Sequence, residues 1–216
     1  MATIQKGSAM LALMALLVVV LGAFFYYFLD PRSQYLAERE GTMRQMAWAV
    51  SGLIAYSSHS AGLLPCPDLD FPPDGRAEEV CTPAPRRLVG WLPWQTLGLP
   101  PLRDEAGNPL LYVVAPGSVN GGVGQQSLKL KNSSVAQAAV VLAPGIALLG
   151  QKRSQEVSQG ADWVREWLEG ANQTAARQVP ESAFEQQGES LTFNDRLLPL
   201  PVEQLVKEVT DKDRSH

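Results

Sequence analysis

The chain has 216 residues and a formal net charge of -4, with 45% hydrophobic and 19% charged residues. That composition excludes wholesale disorder, leaves room for one domain beyond an apolar N-terminus, and offers no basic surface to recruit nucleic acid. The two cysteines, Cys66 and Cys81, supply only two of the four ligands a structural zinc site needs, and the two histidines, His59 and His216, do not cluster with them.

The first element is the apolar run Met10 to Leu29, which carries no charge. As a helix rising about 1.5 Å per residue it matches the roughly 30 Å hydrocarbon core of a bilayer. It ends in Phe24-Phe25-Tyr26-Tyr27-Phe28, an aromatic cluster of the kind found at membrane interfaces. Lys6 precedes the run, while Asp30, Arg32, Glu38, Arg39 and Glu40 follow it, so the expected orientation is N-terminus inside and C-terminus outside. A cleaved signal peptide would be shorter and end in small residues. The expected division is therefore a short N-terminal segment over 1–7, a membrane helix over 8–30, an amphipathic helix over 31–60 and a domain over 61–216.

Asp30-Pro31 interrupts the helix, because proline removes a backbone donor. Helical periodicity resumes from Gln34 to Ser58, with Leu36, Met43, Met46, Ala47, Val50, Leu53 and Ile54 on one expected face. Beyond it, "GLLPCPDLDFPPDGRAEEVC" is turn chemistry. Cys66 and Cys81 flank a loop of 15 residues, and a disulfide between them is the expected pairing if the domain is outside the cytoplasm. Asp68, Asp70 and Asp74 inside that loop are candidate calcium ligands. The intervening Phe71-Pro72-Pro73 removes glycine freedom and backbone donors, which favours turn capping over metal binding.

"GWLPWQTLGLPPLRD" holds two tryptophans and three prolines and reads as an ordered wrapping loop. Trp91 and Trp94 are its hydrophobic anchors, with a ligand-facing surface patch as the alternative. A turn at Gly107-Asn108-Pro109 leads into an expected strand from Leu110 to Ala115. Gly121-Gly122-Val123-Gly124 is a flexible turn and no phosphate loop, since no Gly-Lys-Ser/Thr follows. "SLKLKN" alternates like an exposed strand, and "AQAAVVLAPG" reads as a buried one. A short helix is expected from Gln159 to Glu169, with Trp163, Val164, Trp167 and Leu168 inward and Gly170 as its stop. "SLTFNDRLLPL" is a late strand, and Pro201 opens a last helix with Val202, Leu205, Val206 and Val209 inward.

The leader ending at Gly7 before an apolar helix resembles the prepilin leader of type IV pilins and type II secretion pseudopilins. The resemblance implies cleavage after Gly7 by a prepilin peptidase and methylation of Ser8. Those families carry a glutamate at the fifth mature position; here it is Ala12. A carboxylate in lipid is costly without a partner. In those filaments the partner is the terminal amine of the subunit above, which a tip subunit lacks. The missing glutamate therefore points to a minor, tip or initiating subunit. A second resemblance rests on "GLIAYSSHSAGLLPCPD", "GWLPWQTLGLPPLRDEAGNPLLYVV", "VVLAPGIALLGQKR", "WLEGANQ" and "FNDRLLPL", in that order. They are similar to successive blocks of a bacterial pilin-like, pseudopilin-like family of minor pilus assembly proteins.

The resemblance implies an α+β fold of pilin type, a long N-terminal transmembrane helix continuing into an amphipathic helix packed on an antiparallel sheet. It implies a single-pass inner-membrane protein with a periplasmic domain, whose partners are other pilins or pseudopilins, the assembly platform and the membrane. No enzyme activity and no cofactor are implied, and no serine sits in a nucleophile elbow. A membrane-anchored binding or adhesion module that does not polymerise is the alternative.

Overall fold

The computed structural model describes residues 4–28, 31–81, 88–119, 126–153, 163–177, 182–188 and 190–205. The chain divides into two compact units, Met1–Glu40 and Gly41–His216. Helix α1 spans Ile4–Phe28 and helix α2 spans Pro31–His59. Asp30 and the expected interruption beside it lie outside the described residues.

The second unit is built on a four-stranded antiparallel sheet in chain order: β1 (Val89–Trp91), β2 (Leu111–Val114), β3 (Gln137–Ala143) and β4 (Arg196–Pro201). A helical turn, α3 (Pro116–Val119), follows β2. The fold is thus α+β, as the residues indicate. The pairings centre on Gly90 with Tyr112, Tyr112 with Val141, and Val141 with Leu198. β2 and β3 read as unbroken apolar runs because every residue in them is buried, on one face or the other. Edge strand β4 contains Pro199 and Pro201, residues that a sheet accepts at its edges because they cannot donate to a further strand.

Two cores result. On one face Leu110, Tyr112, Val114, Val141 and Leu200 pack with Met46, Ala49 and Leu53 of α2. The buried positions of α2, namely Thr42, Met46, Ala49, Leu53 and Ser57, step by three or four, one stripe of a helix. Ala47, expected on that stripe, is exposed instead. Gly52 belongs to it because a methyl there would lie 2.7 Å from Leu99 Cδ1, so the 92–110 loop closes against the helix at a bare backbone.

The other face carries Val89, Trp91, Leu111, Val113, Val140, Leu142 and Leu197. It is covered by Phe184, Val164, Trp167 and Leu168, and by helix α4 (Gly170–Ala176). This second core corrects three expectations. Trp163–Glu166 forms a single 3-10 turn, and Gly170, expected as a helix stop, begins α4 with φ +47°. "SLKLKN" joins the structure through isolated bridges of Leu128 to Gln137 and Leu130 to Phe184, and Leu128 is buried rather than part of an exposed strand. The final helical turn covers 202–205 and buries Leu205, whereas Val206, Val209 and the 121–124 turn lie outside the described residues.

Candidate functional site

The most conspicuous functional surface is α1 itself. Ala9–Tyr26 has a mean hydropathy of 2.6 and no residue buried, so it is long and apolar enough to cross a bilayer. An apolar surface of that extent is of the kind that marks a contact with a membrane or another protein. Gly7, Ser8 and Ala12 all fall within this helix.

The Cys66–Cys81 loop is a second candidate. The sulfurs are bonded, with Cα atoms 5.6 Å apart. Asp68 organises the turn: Oδ1 accepts the Asp70 N–H at 2.9 Å and Oδ2 the Gly75 N–H at 2.7 Å. Its own backbone forms a β-bridge with Trp91, and this works because Gly90 has no side chain; a methyl there would sit 2.4 Å from the Asp68 carbonyl oxygen. Asp68, Asp70 and Asp74 can each present an oxygen within 4.8 Å of the others. Three carboxylates supply fewer than the roughly 6–8 oxygens calcium takes, and both oxygens of Asp68 are already engaged by N–H groups. Burial is the main reason the Asp68 carboxyl is raised to about 6, with the neighbouring Asp74 and Asp70 charges adding to it and the Gly75 and Asp70 N–H groups opposing it.

The two tryptophans of the loop part company. Trp91 is 3% exposed, wedged among Phe71, Trp163 and Trp167 with ring centroids 5.9, 5.2 and 4.8 Å away. It offers no surface to a ligand because β1 turns it into the second core. Trp94 is half-buried and lies over Gly75, where a built Cβ would be 2.3 Å from the indole. Pro73, Trp94, Pro101, Arg103 and Pro109 line a hollow of 80 Å³, room for about one small side-chain group. His59 approaches Ser58 Oγ at 3.1 Å, but its Nδ1 is also 2.8 Å from the Ala55 carbonyl. A nitrogen that donates to that carbonyl has no lone pair left to act as a base toward the serine.

A buried polar centre, not anticipated from the residues, sits where the loop before β2 and the loop after β3 meet the start of β4. Asp104 accepts the N–H groups of Ala106 and Asn108 on Oδ1 and that of Gly145 on Oδ2. Asn108 Nδ2 donates to the Gly145 carbonyl at 2.7 Å. Arg153 donates to the carbonyls of Gly145, Pro144 and Glu166 and to Gln151 Oε1, and lies 4.9 Å over the Trp167 ring. Burial pulls this guanidinium below its ordinary value, while the charges of Glu169, Asp104 and Asp195 hold it up.

Glu169 accepts from Gln151 on Oε1 and from the N–H groups of Asn194 and Asp195 on Oε2. Asp195 in turn accepts the Glu169 N–H at 2.9 Å and Asn172 Nδ2 at 3.2 Å on Oδ2. Arg196 pairs with Glu105 at 3.0 Å, and Glu105 bonds Thr42 of α2. Asp104 and Asn108, Gly145 and Arg153, Trp167 through Asn172, and Asn194 through Arg196 come from four of the segments that carry the family resemblance. Their convergence on one network explains what those segments do physically: they hold the loops of the second core together. The available signal was isolated polar residues, as in "WLEGANQ" and "FNDRLLPL", interrupting apolar runs. No protein-family model, no curated protein and no solved structure matches this chain.

Proposed function

We propose that this chain is a minor, pilin-like subunit that serves the tip or the initiation of a type IV pilus or a type II secretion pseudopilus. The observation that carries the reading is an apolar helix with no buried residue, in one chain with a disulfide-closed α+β unit whose antiparallel sheet packs on residues 42–57 of the next helix. On this reading α1 is stored in the bacterial inner membrane, N-terminus cytoplasmic, and passes from lipid contacts to contacts with sister helices as the filament forms. Packing rather than water exclusion drives that exchange, because lipid tails are as apolar as leucine. Ala12 supports a tip or initiating place, since a subunit with nothing above it gains nothing from a carboxylate there.

The partners are other pilins or pseudopilins, the assembly platform, and the prepilin peptidase that would cut after Gly7. The work is mechanical rather than catalytic. Intact mass of membrane-extracted protein is expected to show a chain beginning at a methylated Ser8, and labelling of purified filaments is expected to mark ends only. A soluble protein beginning near Asp30 would overturn the anchor, and label along the whole filament would overturn the tip assignment. Filaments that assemble normally without the chain, with attachment lost, would favour the binding module instead.

A further inference from the structure

We propose that Asp195 and Glu169 share a single proton in the folded domain, and that this proton fastens the beginning of β4 to the 163–176 segment. The two carboxyls form a reciprocal clamp, each accepting the backbone N–H of the other residue. The clamp brings the two carboxyls close enough for each to bear on the other's ionisation. Asp195 is 1% exposed, and its Oδ1 has no protein donor. Two carboxylates held close together in a dry site cannot both be ionised without large repulsion, and a buried carboxyl oxygen with no donor is satisfied by a proton of its own.

Arg153 is the cation nearest in effect, but its hydrogen bonds go to three backbone carbonyls and an amide, none to a carboxylate. Arg196 is engaged with Glu105. Glu166 faces the Lys152 N–H and the exposed Arg165, and Asp104 is held by backbone N–H groups and Asn108. Ionising Asp195 would add a negative charge to a buried site that already holds other carboxyls. Burial, and after it the Glu169 charge, pushes Asp195 up to about 9.

The proton therefore acts as a latch. Folding takes it up, and alkaline pH withdraws it. An acid whose folded pKa is raised makes the native state the better proton binder, so its contribution to stability is full below the ordinary carboxyl range and fades as pH climbs toward about 9. The segments it joins, β4 and the 3-10 turn with α4, are the ones that close the second core.

The test is a pH titration of the full-length protein in detergent micelles, with the aspartate carboxyl carbons labelled with ¹³C. The Asp195 signal is assigned by its loss in Asp195→Asn, or by its displacement in Glu169→Gln should the first variant fail to fold. The expected result is a protonated Asp195 at about pH 7 and a midpoint several units above the ordinary value of about 3.9. Glu169→Gln should lower that midpoint, which a purely structural role for Glu169 would not do. Asp195→Asn should flatten the loss of melting temperature between about pH 7 and pH 10. An Asp195 signal already ionised at neutral pH, or a midpoint unmoved by Glu169→Gln, would overturn the shared proton.

Discussion

Gly75→Ala isolates the seat of Trp94. Gly75 has φ +83°, and a Cβ there would lie 2.3 to 2.7 Å from indole atoms of Trp94. The left-handed conformation costs an alanine about 1–2 kcal/mol. Carbon atoms rest about 3.5–4.0 Å apart, so the ring must withdraw by more than about 1 Å. Removing a fully buried large aromatic costs roughly 3–5 kcal/mol; Trp94 is half-buried, and losing most of its seat is worth about half of that. The expected destabilisation is thus about 3 kcal/mol, measured by urea unfolding of the full chain in micelles with tryptophan fluorescence.

A double-mutant cycle separates the two parts. In a Trp94→Ala background the clash is gone, and Gly75→Ala should cost only the backbone share of about 1–2 kcal/mol. A single-variant cost below about 0.5 kcal/mol, or full additivity of the two substitutions, would refute the reasoning.

Replacing Cys66 and Cys81 by serine should remove about 3 kcal/mol of stability, as expected for opening a loop of this length, and matching unfolding midpoints with and without reductant would contradict it. Asp68 is raised to about 6, so the folded state binds the extra proton; stability is full below about pH 4 and falls as pH rises to about 6. Asp68→Asn should flatten that limb in a melting series. It should also cost about 1–3 kcal/mol, because one of the two N–H groups now meets a donor. Calcium and chelator are each expected to leave the melting temperature unchanged, and a calcium-dependent rise would show that Asp68, Asp70 and Asp74 hold the ion. Leu53→Ala, at a fully buried position beneath the sheet, should cost about 2–5 kcal/mol.

Features written in contiguous residues were legible without the fold. The apolar run from Met10, the strands around "LLYVVA" and "AAVVLA", the cysteine pair and the helix after Pro31 each depend on composition, spacing or period within a few turns of chain. Trp91 was legible as a hydrophobic anchor, whereas Ala47 was not placed correctly by the same reasoning. Whether an apolar residue faces the core depends on the phase of its element and on what arrives from elsewhere. Both are settled by contacts such as Phe71 with Trp167.

The candidate site divides the same way. Asp68 could be seen as a turn carboxylate because its partners lie two and seven residues away. The Glu169–Asp195 pair and the Arg153 centre could not, because their partners come from distant parts of the chain, 26 residues apart for Glu169 and Asp195 and 41 for Gly145 and Asp104. Sequence alone determined the elements with local causes: the apolar helix, the disulfide loop and the two central strands. The tertiary structure alone decided that the sheet would be covered on both faces, that Gly170 would open a helix rather than end one, and that scattered polar residues would meet in the dry interior. Local period sets which side of an element is apolar, whereas the cost of burying a polar group is met only by a partner that folding brings from a distant part of the chain.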